Sequence, residues 1–162
     1  MNNKIYLDIN YDMYDYFRQM PEFIFIDSIE VEPGIYAEGV KKVEETDWYF
    51  QYHFPGNPIM PGVFQMEALM QTGGLIINTL EGKKELKLYF GECKSVRINE
   101  SVRPGDVLKT IVTLKTYRRG IAWFDAKAMI GDKISCKMQF SLIAPDEVGQ
   151  IMNHKSMEKD NE

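Results

Sequence analysis

The sequence has few of the side chains that build disulfide frameworks or metal sites. Its 162 residues include two cysteines, Cys93 and Cys136, and two histidines. The cysteines lack CxxC spacing, and too few histidines accompany them to complete a zinc site. We therefore expect two free thiols that are buried or half-buried, and we expect neither a metal nor another cofactor.

Long apolar runs are also missing. No stretch reaches the roughly 18 apolar residues of a membrane span, and the first residues, MNNKIYLDINYD, lack the basic start and apolar core of a signal peptide. We expect a cytoplasmic protein that binds neither membrane nor nucleic acid. The length fits a single domain over residues 1–144, followed by a polar tail over 145–162 that we expect to be mobile.

The hydrophobic pattern predicts one long helix among strands. A short amphipathic helix is expected at 11–19, followed by a hairpin of strands at 22–31 and 35–43. Residues 62–80 are apolar on nearly all sides, which is typical of a buried helix about 30 Å long. Four further strands are expected at 86–98, 106–118, 120–130 and 133–144. One buried helix with antiparallel strands is an α+β design.

Two glycines interrupt the long helix, Gly73 and Gly74. Each costs the helix about 1 kcal/mol relative to alanine, which is tolerable where another backbone packs closely. The sheet is therefore predicted to cross the helix at this point.

A histidine and a glutamate lie on either side of a proline-rich bend. Pro55, Pro58 and Pro61 disfavour helix in the bend, and Pro61 suits the first position of the helix that follows. His53 precedes the bend, and its imidazole can take a proton near neutral pH. Glu67 has apolar neighbours, and burial favours the protonated form of a carboxyl group. Together they could transfer protons, although His53 could instead bond within the loop and Glu67 could lie on the helix surface.

The stretch from His53 to Gln71, HFPGNPIMPGVFQMEALMQ, resembles the signature HFPGxPxMPGVxxxEAxxQ of the (3R)-hydroxyacyl-[acyl-carrier-protein] dehydratases of the hotdog superfamily. Three later segments follow in the family's order: Tyr89-Phe90, the VRPGD of 102–106 and the RGIAW of 119–123. The resemblance covers about residues 20–143. It implies a hotdog fold, in which a curved antiparallel sheet wraps a long central helix.

The resemblance also implies a role for each motif residue. His53 would be the base that takes the C2 proton, and Glu67 the acid that protonates the departing C3 hydroxyl. The Gly62 N–H would hold the thioester carbonyl, and Gln71 would orient the carboxyl group or simply pack. Glutamate rather than aspartate at position 67 implies dehydration without isomerisation of the product.

The resemblance places an acyl tunnel beside the helix. Tyr89 and Phe90 would gate it, or would serve as ordinary core residues. Phe64, Met66 and Met70 would line it, because flexible and aromatic side chains fit a variable alkyl chain.

Basic residues are concentrated in one part of the chain. Residues 83–140 hold 13 Lys and Arg against 6 Asp and Glu. This balance could steer the acidic acyl carrier protein, which brings the phosphopantetheine-linked substrate, or it could be only a solvated sheet face. The proposed docking residues are Lys94, Arg97, Arg103, Arg118 and Arg119.

The family further implies a homodimer or a trimer of dimers, with His53 of one chain facing Glu67 of the other. Two alternatives stay open: a hotdog acyl thioesterase, which would not need the histidine, and a non-catalytic acyl-binding protein. Where the family carries Leu-Pro-His-Arg, this chain has Met20-Pro21-Glu22. The sequence therefore leaves open which acyl chain length is preferred and which carrier protein is used. It also leaves open whether the role is housekeeping fatty-acid synthesis or a specialised polyketide or polyene pathway.

Overall fold

The computed structural model describes residues 3–149. They form one antiparallel sheet of seven strands, paired in the order β1-β2-β3-β5-β6-β7-β4, with one long helix against it. The strands are β1 (Ile5–Asp8), β2 (Ser28–Glu32), β3 (Tyr36–Lys42), β4 (Tyr89–Ile98), β5 (Val107–Arg118), β6 (Ile121–Ile130) and β7 (Lys133–Ile143). This arrangement confirms the α+β hotdog fold. Within residues 3–149, none of the helices has the length and apolar character needed to cross a membrane.

The long helix, α1, spans Gly62–Asn78 and lies against strands β2, β3, β5, β6 and β7. Pro61 precedes it with an extended backbone, which fits the expected start after the proline-rich bend. Leu75, Ile76 and Ile77 are consecutive and all buried, because sheet and loops enclose the helix on most sides. The predicted helix is confirmed, with its end two residues earlier than expected.

The sheet crosses α1 at Gly73, as predicted. A Cβ atom on Gly73 would lie 3.0 Å from Cζ of Phe140 and 3.5 Å from Cδ1 of Phe124. These rings belong to β7 and β6 and stack with centroids 5.0 Å apart. The close approach is therefore made by aromatic side chains of the sheet rather than by another backbone.

The prediction of a helix over 11–19 was wrong, because only Met13–Asp15 forms a 3₁₀ turn. The Asp12 carboxylate accepts a bond from the Asp8 N–H, and the Asp8 carboxylate accepts one from the Asn10 N–H, both at 2.9 Å. Such local side-chain bonds compete with helix formation. Strand β1, which the sequence did not indicate, precedes this turn and pairs with β2.

The first strand of the predicted hairpin also begins later than expected. Pro21 starts a 3₁₀ turn over Pro21–Phe23, and β2 begins only at Ser28. Between them the Phe25 N–H donates to the side chain of Gln71 instead of to a neighbouring strand. The other predicted strands are confirmed with ends shifted by three residues or fewer.

Part of the predicted mobile tail is ordered. Residues 145–149 are helical, and Glu147 accepts hydrogen bonds from the Tyr117 hydroxyl, at 2.6 Å, and from Lys83. Residues 150–162, the rest of the predicted tail, lie outside the described residues. Cys93 and Cys136 are free thiols, half-buried and buried, as expected.

Strand β4 forms one edge of the sheet, since it pairs only with β7 within residues 3–149. It is ten residues long and largely exposed. Four large apolar side chains on it are between 46% and 56% exposed: Tyr89, Phe90, Val96 and Ile98. Long apolar edges of this kind are available for pairing with another strand.

Candidate active site

His53 is held in a single orientation by the backbone of its own loop. Its Nδ1 lies 2.9 Å from the carbonyl oxygen of Ile59. Because a carbonyl can only accept, Nδ1 must carry the proton, which leaves Nε2 of the neutral ring with a free lone pair. The Ile59 N–H in turn donates to the His53 carbonyl at 2.9 Å, so the loop closes on the histidine from both sides. This tautomer suits a base that acts through Nε2.

His53 and Gly62 line the same cavity, of about 180 Å³, together with Gln65, Ile98 and neighbouring residues. Gly62 is the first residue of α1, and its N–H finds no acceptor within residues 3–149. Free N–H groups and the helix dipole make such a position favourable for negative charge. A Cβ on Gly62 would lie 2.4 Å from Cδ1 of Ile98, so glycine is what leaves room there.

Gln65 is a polar residue of this cavity that the sequence did not single out. It is 1% exposed, and its Nε2 donates to the Glu100 carbonyl at 3.3 Å. Its Oε1 has no hydrogen-bond partner among the described residues. The one sequence feature that could have identified Gln65 is its position three residues after Gly62, because residues three apart lie close together on a helix surface.

Glu67 opens onto a second, larger cavity of about 400 Å³ on the other side of the helix. Burial raises the pKa of its carboxyl group above the usual range, while the hydrogen bond from Gln71 lowers it and only partly offsets the effect. A raised pKa favours the protonated carboxyl that a general acid requires.

Gln71 is fixed by three hydrogen bonds. Its Nε2 donates to the Phe23 carbonyl at 2.7 Å and to Oε1 of Glu67 at 3.1 Å. Its Oε1 accepts from the Phe25 N–H at 2.9 Å. The backbone that leads into β2 therefore sets the position of Gln71, and Gln71 sets the position of one carboxyl oxygen of Glu67.

One chain does not bring His53 and Glu67 into the same cavity. The residues that line the two cavities do not overlap. Gly62, beside His53, and Glu67 are five residues apart on α1, which separates them by about 140° around the helix axis. A reaction that needs both groups on one substrate therefore needs a second chain or a large rearrangement.

The predicted tunnel residues divide into two groups. Met70, Tyr89 and Phe90 line the Glu67 cavity. Phe64 and Met66 line neither cavity, contrary to the prediction. The Phe64 ring stacks on Phe25 with centroids 4.7 Å apart, inside an aromatic cluster with Phe23, Trp48 and Tyr49.

The predicted docking residues do not form one surface within a chain. Arg103 donates to Asn57 Oδ1 at 2.8 Å, next to the loop of His53. Arg118 and Arg119 lie at the turn between β5 and β6, at the opposite end of a strand about 40 Å long. Arg97 precedes Ile98 on β4, and Lys94 lies over the Trp123 ring, 3.9 Å from its centroid.

The Glu67 cavity also contains residues that the sequence did not predict. Gly74 and Asn78 follow Glu67 by seven and eleven residues, so they lie on the same face of α1 and could have been found by extending that face. Tyr16 and Phe17 line the cavity from the segment before β2. No local pattern identified these two.

Comparison with known proteins identifies the family of this chain. Residues 18–139 match the FabA-like domain family. The chain is 41% identical over 125 residues to the 3-hydroxyacyl-[acyl-carrier-protein] dehydratase FabZ of Chloroflexus aggregans, covering 76% of this chain and 87% of that protein. The FabZ of Clostridioides difficile is 41% identical over 124 residues, with 75% and 87% covered.

Among solved structures, the dehydratase heterocomplex ApeI:P from Xenorhabdus doucetiae is similar with a TM-score of 0.70 and 14% identity, covering 87% of this chain and 97% of that one. The conserved protein PA5202 from Pseudomonas aeruginosa has a TM-score of 0.63 and 18% identity, with 80% and 96% covered. These two support the fold alone. With the match over residues 18–139 and the FabZ relatives, the chain belongs to the 3-hydroxyacyl-[acyl-carrier-protein] dehydratase family of hotdog proteins.

Proposed function

We propose that this chain dehydrates (3R)-3-hydroxyacyl-acyl-carrier-protein to the trans-2-enoyl product, in fatty-acid synthesis or a related polyketide or polyene pathway. The observation that carries the proposal is that the chain holds both a histidine whose Nε2 is free and a half-buried glutamate whose pKa is raised, each facing a cavity. The first group can accept a proton and the second can donate one.

The base step uses His53. Its Nε2 removes a proton from C2 of the substrate, and the electrons of the C–H bond form the new C2–C3 double bond. As the ring becomes doubly protonated, its Nδ1–H continues to donate to the Ile59 carbonyl, which stabilises the positive charge.

The acid step uses Glu67. Its protonated carboxyl gives a proton to the C3 hydroxyl, which leaves as water while the C3–O bond breaks. Gln71 donates to Oε1, so Oε2 is the oxygen that carries the proton toward the substrate. The proton gained by His53 and the proton lost by Glu67 balance, and exchange with solvent restores both groups.

The thioester oxygen gains negative charge when the C2 proton leaves. The free N–H of Gly62, at the positive end of α1, is the donor for this oxygen. In comparable sites a single such donor contributes about 3 to 4 kcal/mol to the stability of the transition state.

The active unit is a homodimer, or a trimer of dimers built from it, in which His53 of one chain and Glu67 of the other share a substrate. Two observations support this assembly. The two residues open onto separate cavities within a chain, and the exposed apolar strand β4 borders both, since Tyr89 lines one and Ile98 the other. Pairing along this edge would also cover its apolar side chains.

Acyl carrier protein would dock beside the His53 cavity. Arg103 is the member of the predicted basic set that contacts the loop after His53. Arg97 is the next nearest along the chain, one residue before Ile98 on β4, with its side chain on the other face of the sheet. Exposed cations at such an entrance speed the approach of an acidic partner.

Incubation with a 3-hydroxyacyl carrier protein, or with a short thioester mimic, tests the function by the absorbance of the conjugated enoyl product. We expect His53→Ala and Glu67→Gln each to lower kcat by at least about 10²-fold, because each removes one half of the proton transfer. Release of free thiol without enoyl product would indicate a thioesterase instead. Binding without either product would indicate a non-catalytic acyl-binding protein.

A further inference from the structure

The Glu67 cavity follows one face of α1 over most of the helix. The helix residues that line it recur at successive steps of three and one and reach the last residue of α1: Glu67, Met70, Gln71, Gly74, Leu75 and Asn78. Eleven residues separate the first from the last, which corresponds to about 16 Å along the axis. The cavity is therefore elongated, with the carboxyl group at one end and Asn78 at the other.

The orientation of the substrate follows from the chemistry. Because the C3 hydroxyl must reach Glu67, the carbons beyond C3 point into the cavity that holds this residue. Met70, Leu88 and Phe90 are among its apolar lining residues. This orientation of the acyl chain rests on the proposed dehydratase function.

Gly74 leaves space in the middle of this path. A Cβ atom on it would have its nearest neighbours at 3.8 Å, Cδ1 of Leu88, and at 3.9 Å, Oδ1 of Asn78 and Cδ1 of Leu142. A methyl group would fit there in ordinary contact, and a larger side chain would extend into the cavity. Gly73 differs, because its Cβ would meet the Phe140 ring of the sheet.

Asn78 forms a fixed polar end. It is 8% exposed, and its Nδ2 donates to the carbonyl oxygens of Lys83 and Leu86, both at 2.9 Å. These bonds hold the loop after α1 against the helix end. An alkyl chain that reached Asn78 would meet a side chain that cannot turn aside without breaking them.

We propose that Gly74 and Asn78 set the longest acyl chain that this enzyme accepts, Gly74 by leaving the passage open and Asn78 by closing it. For chains that end before Asn78, each added methylene is buried and raises kcat/KM by about fourfold. The rise stops where the chain end reaches Asn78.

The test measures kcat/KM for straight-chain 3-hydroxyacyl thioesters of four to sixteen carbons. Gly74→Leu fills the passage from the helix, and Leu88→Phe fills it from the opposite wall. We call the chain length at which kcat/KM stops rising the break. Both variants should move the break to shorter chains. They should also lower kcat/KM, for the longest substrates that wild type accepts, by at least about tenfold, the equivalent of two methylenes. Asn78→Ala should move the break to longer chains.

Gly74→Ala and Gly73→Ala form a matched pair on adjacent residues. In Gly74→Ala the new alanine has a higher helix propensity than glycine, so the helix is retained. Its methyl group should move the break slightly toward shorter chains. Gly73→Ala faces the Phe140 ring of the sheet instead of the cavity and should keep the wild-type break. An unchanged break in folded Gly74→Ala and Leu88→Phe would overturn the proposal, even if Gly74→Leu fails to fold.

Thermal stabilisation by the same thioesters separates this inference from the proposed function. It reports binding whether or not the compounds are dehydrated. If wild type binds the series with a break that Gly74→Ala and Leu88→Phe move, but forms no enoyl product, the acyl-binding inference holds and the dehydratase assignment fails. If product forms and neither measurement responds to these variants, the inference fails alone.

Discussion

Gln71 and Glu67 lie one helical turn apart on α1, and Nε2 of Gln71 donates to Oε1 of Glu67 at 3.1 Å. The same amide is bound to the backbone of Phe23 and Phe25, so it cannot rotate freely. A flexible glutamate on a buried face is thereby given a fixed direction. The hydrogen bond also opposes the effect of burial on the pKa of Glu67.

Replacing Gln71 should therefore change the pH dependence of the reaction. In Gln71→Met the hydrogen bond that lowers the pKa of Glu67 is lost, so this pKa rises and the alkaline limb of kcat moves to higher pH. We expect the plateau to fall about tenfold, because the carboxyl group loses its orientation. Rate profiles between pH 5 and 10 measure both effects.

The pH limb distinguishes positioning from a structural role. Gln71→Met also leaves the Phe23 carbonyl and the Phe25 N–H without their partner, which costs about 1 to 3 kcal/mol for each buried group. A lower melting temperature is thus expected in either case. A lower plateau with an unmoved alkaline limb would mean that Gln71 only supports the fold.

Glu67 should make the stability of the fold depend on pH. Burial raises its pKa in the folded state, so its favourable contribution is complete below the unfolded-state value of about 4.3 and is lost as pH rises through the folded-state value. Glu67→Gln stays uncharged and avoids this loss. The melting temperature of Glu67→Gln minus that of wild type should be larger at pH 8 than at pH 4. A difference that is constant or falls with pH would contradict the raised pKa.

Much of the central fold could be predicted because its signals are local. The apolar composition of residues 62–80 and the turn residues Pro104-Gly105 and Gly131-Asp132 mark the helix and the later strands. The first 28 residues could not be predicted in the same way. Their aspartate side chains accept hydrogen bonds from nearby N–H groups. Strand β1 forms by pairing with β2, which lies about 20 residues later in the chain.

The candidate site residues could be named from a motif, but their arrangement in the structure could not be predicted. The sequence indicated His53 and Glu67, yet the separation of their cavities depends on how the helix faces are covered. Phe64 was predicted to line the tunnel because its side chain is aromatic, but it packs on Phe25, a contact between residues 39 positions apart. The basic residues were close in sequence, but a long strand places Arg103 and Arg118 at opposite ends.

A shared site can be tested by mixing inactive chains. His53→Ala and Glu67→Gln proteins should each be inactive alone and should regain activity after subunit exchange. In a two-fold symmetric dimer each heterodimer contains one site with both intact residues. Because half of the dimers are then mixed, about a quarter of wild-type activity should return.

Subunit exchange itself must be followed by an independent measurement, such as mass-labelled chains. If exchange is complete and no activity returns, His53 and Glu67 act within one chain. The two cavities would then have to merge through a rearrangement of the helix surroundings.

Docking of the carrier beside the His53 cavity can be tested at Arg97. This residue is exposed on β4 and lies opposite Lys137 on β7. Arg97→Glu places opposite charges on neighbouring strands, which is compatible with the fold. We expect KM for carrier-bound substrate to rise roughly fivefold, for about 1 kcal/mol lost at an exposed contact, with kcat unchanged.

Arg118→Glu is the matched control, because Arg118 is also exposed but lies at the far end of β5 from Arg103. Its KM should remain near the wild-type value. Turnover of carrier-bound substrate by wild type should fall as salt rises, since screening acts over about 10 Å at 0.1 M, while a small thioester mimic should respond little. Equal responses of both substrates to salt and to Arg97→Glu would mean that the basic residues are only a solvated face of the sheet. A larger effect at Arg118 would instead move the docking site to the turn between β5 and β6.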